Sequence, residues 1–187
     1  MTTPTKKGTP MKIKAIIAVA SYALAITLAN VLTNWFGLVP VGFGMLVTAG
    51  TYAAGLALLA RDFVQRYAGT RWVLAGIGFG VVLSWFLASP ALALASAAAF
   101  ALAELADLLV YAWVRPAGFV PAAAASNVIS APIDTVVFLA IAGFPLTFDA
   151  MAGQLVGKLF WATFIPLALY VAVREIRRRA REALTAA

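Results

Sequence analysis

Six apolar stretches divide this chain, at roughly residues 15–33, 41–60, 72–89, 91–114, 119–143 and 150–173. Each is close to the ~20 residues a helix needs to cross a ~30 Å hydrocarbon core. Between and around them lie Lys6, Lys7, Lys12 and Lys14, then Arg61, Arg66 and Arg71, then Arg115. After the last come Arg174, Arg177, Arg178, Arg179 and Arg181. If both termini are cytoplasmic, 13 of the 14 basic residues fall on that side and the outer connections carry none, as the positive-inside rule requires. The pattern predicts an all-α polytopic membrane protein: a six-transmembrane-helix bundle with both termini cytoplasmic, in the cell inner (plasma) membrane.

With 64% hydrophobic and 11% charged residues, the chain lies far from a soluble composition. The domain reading is a disordered tail over 1–11, a transport domain over 12–173 and a basic cytoplasmic tail over 174–187. Residues 174–184 read as a basic helix along the membrane surface. The net charge of +7 sits at helix ends, so an anionic lipid leaflet is its expected partner and nucleic acid is not. Neither Cys nor His occurs. Disulfides, imidazole catalysis and most transition-metal sites are therefore not expected, and no catalytic residue, cofactor or metal is assigned. The first apolar run is too long for a signal-peptide core, so cleavage after Ala25 is not expected.

The expected outer connections are short: 34–40, the Ser89-Pro90 turn and Gly143-Phe144-Pro145. Recognition must then happen inside the bundle, where ionisable groups are costly and by default functional. Four lie within the spans: Glu104, Asp107, Asp134 and Lys158. Glu104 and Asp107 share a helical face with Tyr111; Asn127, Ser130 and Asp134 form one stripe, and Gln154, Lys158 and Trp161 another. Counted from the outer helix ends, Asp134 and Lys158 both lie roughly 12–13 Å deep, which suggests an ion pair. Such a pair can simply lock a bundle. Three carboxylates against one ammonium leave two negative charges in excess, so the site should hold a proton, bind a cation or donate from a neutral acid. Pro121 and Pro132 bracket part of the fifth helix, and Pro132 frees the Val128 carbonyl. That predicts an opened helix beside Asp134. Asp62 and Arg66 are spaced as an i, i+4 pair at the inner end of the second helix.

At these residues the chain resembles the queuosine precursor transporters, also called the vitamin uptake transporter (VUT) family. The likeness covers roughly residues 20–172. It rests on Asn30; on Gly50-Thr51-Tyr52 followed by Arg61-Asp62-Phe63-Val64-Gln65-Arg66-Tyr67-Ala68-Gly69; and on Ala103-Glu104-Leu105-Ala106-Asp107. It continues through Ser126-Asn127-Val128-Ile129-Ser130 with Asp134-Thr135 and Phe138, then Lys158, Pro166 and Tyr170. The resemblance implies a transporter importing 7-deazaguanine bases: 7-cyano- or 7-aminomethyl-7-deazaguanine, or queuine. It implies substrate contacts from Asn30, Glu104, Asp107, Tyr111, Asn127, Ser130, Asp134, Gln154, Lys158 and Trp161, with Asp62 and Arg66 gating the inner mouth. A carboxylate, Glu104 or Asp134, would accept the adjacent N–H donors of a guanine-like edge. Lys158, Asn127 or Gln154 would donate to its carbonyl, and Trp161, Tyr111, Tyr52 and Phe138 could form a flat slot.

No phosphate-binding Gly-x-x-x-x-Gly-Lys-Ser/Thr loop is present, so the chain hydrolyses no nucleotide itself, and no enzymatic activity is expected. Two other readings stay open: a substrate-binding subunit of an energy-coupling-factor transporter, and a non-transporting membrane scaffold. A second copy of the chain is a protein partner the sequence leaves open.

Overall fold

The apolar stretches fold as helices because, away from water, a helix satisfies its own backbone polar groups. A computed structural model describes residues 13–87 and 90–186. The elements are α1 (Ile13–Phe36), β1 (Leu38–Gly42), β2 (Met45–Thr48), α2 (Thr51–Tyr67), α3 (Thr70–Leu87) and α4 (Pro90–Val114). A 3-10 turn (Arg115–Ala117) leads to α5 (Phe119–Ala142), and α6 (Phe148–Leu155), a π-helical segment (Val156–Phe164) and α7 (Ile165–Ala186) follow. The fold is all-α apart from one hairpin. Four of the described helices are long and apolar enough to cross a membrane: Ile13–Phe36, Leu94–Ala117, Phe119–Ala142 and Phe148–Leu184. Large apolar side chains such as Trp35, Leu109, Trp113 and Leu169 point outward, a surface suited to lipid and not to water. The 1–11 tail, Lys12, Ser89 of the expected turn and Ala187 lie outside the described residues.

The second apolar stretch departs from expectation. Residues 41–50 do not begin a helix. Leu38–Gly42 and Met45–Thr48 pair antiparallel, turning through Gly42, Phe43 and Gly44, all with positive φ. Two strands rich in Val and Leu around a Gly-Phe-Gly turn satisfy their backbones against each other. Buried Val41 and Val47 anchor the hairpin. The Trp161 indole donates to Val41 O at 3.2 Å, and the Tyr52 hydroxyl donates to Pro40 O at 3.0 Å.

Helix α2 therefore starts about ten residues later than the apolar run, and this draws Arg61 and Asp62 into its interior, both at 0% exposure. Arg61 was expected among the cytoplasmic charges; it is instead a core residue.

The broken helix also lies elsewhere than expected. Helix α5 runs unbroken through Pro132. The irregularity falls in the last rod, where Val156–Phe164 is wound as a π-helix. Pro166, just beyond it, has no N–H to give the Ala162 carbonyl and crowds it; a widened turn relieves that conflict. Thr163 Oγ1 donates to Lys158 O at 2.8 Å, closing the wide turn with a side chain. Gly55 of α2 packs directly on Lys158 and Ala162, the close approach that small residues permit between membrane helices. Helix α7 continues without a break to Ala186, so the basic segment prolongs the last rod.

Candidate functional site

Two buried polar clusters lie at different heights in the bundle. The first surrounds a cavity of about 70 Å³ enclosed by α1, α2, α4, α5 and α6 with the π segment, whose polar walls include Asn30, Thr48, Thr51, Ser96, Asp134, Gln154 and Lys158, with Phe100 and Phe138. Lys158, 2% exposed, reaches Asp134 Oδ2 at 2.6 Å. It also donates to Gln154 Oε1 at 2.6 Å and Thr135 Oγ1 at 3.0 Å. All three ammonium donors are thereby engaged. The ion pair expected from depth is present, and Asp134 keeps 14% exposure. Asn30, which lines the cavity, donates one amide N–H to Ile26 O at 3.1 Å and keeps its second N–H and its carbonyl oxygen.

The second cluster, in the C-terminal half of α2, is centred on Arg61. Its Nη1 is 2.8 Å from both Asp62 Oδ1 and Asp107 Oδ2, and its Nε is 3.3 Å from Glu104 Oε2. All four side chains are at 0% exposure. Only the Asp62 contact is aligned as a hydrogen bond; both oxygens of Glu104 and of Asp107 lack an aligned donor, as does the Tyr22 hydroxyl. Tyr111 places its ring 5.6 Å from the Arg61 guanidinium.

Of the residues assigned to substrate from the sequence, Asn30, Asp134, Gln154 and Lys158 meet at the cavity. Glu104, Asp107 and Tyr111 instead meet at Arg61. Asn127 stands between: its Nδ2 donates to Thr163 Oγ1 at 3.4 Å, bracing the π segment. Ser130 is buried with its hydroxyl unpartnered. Trp161 holds the hairpin, is 45% exposed and does not line the cavity. The expected Asp62–Arg66 pair does not form: Asp62 turns to Arg61, while Arg66 stacks 4.6 Å from the Phe119 ring and donates to the Tyr170 hydroxyl at 3.4 Å. Arg66 lines a separate open groove between α1, α2 and α7, bordered by Lys14, Arg174 and Arg177. The substrate contacts expected from the sequence left out Arg61, Thr135 and Phe100, although Arg61 and Thr135 stand within the motifs that carry the resemblance. For Arg61 the signal was available: an Arg-Asp pair directly after an apolar run, in a bundle short of cations.

An all-α membrane protein with buried ion pairs around an internal cavity is the class that this fold and site define. Residues 16–172 match the family model described as "Putative vitamin uptake transporter". The chain belongs to that family of membrane uptake transporters. No curated protein and no solved structure matches it.

Proposed function

We propose that this chain is a six-span transporter, with both termini in the cytoplasm, that imports 7-deazaguanine bases across the inner (plasma) membrane. The observation carrying the reading is the Asp134–Lys158–Gln154 constellation at the cavity wall. The partly exposed Asp134 carboxylate suits the adjacent N–H donors of a guanine-like edge. Gln154, held by Lys158 through its carbonyl, has its NH₂ group left to donate to the ring carbonyl. Phe100 and Phe138 line the same cavity and offer apolar faces to a flat ring. At about 70 Å³ the cavity is far smaller than the ~300–1,000 Å³ of pockets that enclose drug-sized ligands. The described conformation is therefore closed, and a bicyclic base enters once the helices part.

The test is the queuosine content of tRNA in cells unable to make or import its precursors, expressing this chain and fed each base at low concentration. The wild type restores queuosine, and Asp134→Asn at equal membrane expression does not. No restoration with any of the bases sinks the substrate assignment and favours the partner-dependent or scaffold reading.

A further inference from the structure

The two clusters differ in charge. At the cavity, one carboxylate faces one ammonium, a balanced pair. Around Arg61, three carboxylates face one guanidinium, and none of the four side chains has solvent access. Every neighbouring element leaves this imbalance uncorrected. Helix α1 brings Tyr22 to Glu104, α4 adds Tyr111, and α5 brings Ser126 to Asp107. None of these is a cation. Of the other charges, Asp134 and Lys158 neutralise each other; Arg66 and Arg115 act on the cluster only from beyond Tyr111, Arg66 being turned to the Phe119 ring and the Tyr170 hydroxyl.

Two excess negative charges in a buried site demand compensation, because an unpaired ion out of water is among the costliest arrangements a fold can hold. A metal ion is poorly served: the guanidinium occupies the centre of the carboxylates, and among the described residues no three metal-ligating side chains are grouped to hold one. Protons fit better. Asp62 and Asp107 both contact the same nitrogen, Nη1, and crowded carboxylates do not all stay ionised. The unaligned oxygens of Glu104 and Asp107, and the unpartnered Tyr22 hydroxyl at 1% exposure that faces Glu104, are groups a shared proton would engage.

We propose that the Arg61 cluster is the proton-binding site of this transporter. In the closed state it holds two protons among Asp62, Glu104 and Asp107, and Glu104 exchanges the proton that moves with substrate. Glu104 is the member placed to do so, standing one helical turn along α4 from Phe100 of the cavity wall. The coupling half of this inference rests on the transporter reading; the proton occupancy does not.

Infrared spectroscopy of the purified chain in liposomes reads occupancy directly. The wild type shows the carbonyl stretch of a protonated carboxyl at neutral pH, and Glu104→Gln loses part of it. Absence of that band in the wild type, or its persistence unchanged through Glu104→Gln, Asp62→Asn and Asp107→Asn, overturns the proposal. Uptake of neutral 7-cyano-7-deazaguanine into the same liposomes, with the membrane potential clamped, reads coupling. One proton per base predicts about tenfold accumulation for each unit of inward pH gradient, abolished in Glu104→Gln. Wild-type uptake that ignores the gradient overturns coupling while leaving the transporter intact. A carboxyl band with no uptake upholds the proton site and counts against the substrate.

Discussion

Gly55 offers the sharpest test of the packing that positions Lys158. A Cβ at this position would stand 2.6 Å from Ala162 Cβ, 2.7 Å from Lys158 Cα and 2.9 Å from Lys158 O. Two of those three atoms are backbone of the π segment, so no side-chain rotation relieves the clash and the helices must separate. Gly78, in the middle of α3, is the control, since a Cβ there meets nothing within 4 Å. Replacing either glycine by alanine gains about 1 kcal/mol of helix propensity, so propensity cancels between the variants and the steric term remains. Overpacking costs typically about 1–3 kcal/mol. At roughly 2–4 °C per kcal/mol for a chain of this size, Gly55→Ala should melt ~2–12 °C below Gly78→Ala in detergent. Because the atoms displaced are those of Lys158, queuosine restoration should fall in Gly55→Ala and hold in Gly78→Ala. Equal melting temperatures would refute the claim that α2 and the π segment are in rigid contact here.

The buried pair and its surroundings give further expectations. Asp134→Asn leaves the Lys158 ammonium buried without a counter-charge and should destabilise by about 3–5 kcal/mol; adding Lys158→Met should recover most of that, whereas strictly additive losses in denaturation would show the two are not coupled. Trp161→Phe deletes the bond to Val41 O and should cost about 1 kcal/mol, read as faster amide exchange in the 38–48 hairpin with α5 unchanged. On α7, hydrogen bonds from Arg178 and Arg179 pull the exposed Glu175 carboxyl down to about 2 from 4.5. A lowered folded-state value means its contribution is complete above pH 4.5 and is lost as pH falls toward 2. Helicity at the end of α7 should therefore decline in that window in the wild type, whereas Glu175→Gln should start lower and show no such step.

How much of this was readable in the chain depended on whether lipid or a neighbouring helix sets the constraint. Lipid acts on each segment separately, so length and hydropathy located α1, α4, α5 and the last rod. Equal depth on two helices sufficed to pair Asp134 with Lys158. Where neighbours decide, the segment-by-segment reading failed. The run at 41–60 is as apolar as a span, yet its first half closes on itself through a Gly-Phe-Gly turn. Pro132 looked like the residue that would open a helix, but α5 tolerates it, while Pro166 acts beside a segment whose wide turn is completed by Thr163.

Arg61 shows what the missing step was. Read along the chain, an arginine at the end of an apolar run is an anchor facing the cytoplasm. Read across the bundle, Glu104 and Asp107 sit on one face of α4 with no cation of their own, since Lys158 is committed to Asp134. Two embedded carboxylates on one face require a partner at matching depth from an adjacent helix. Arg61 lies ten residues into α2, roughly 15 Å along it, and its guanidinium can serve several carboxylates at once. The charge that the second stretch seemed to exclude from the membrane is thus the one its interior most needs, and Asp62, arriving with it, restores the negative excess on which proton binding depends.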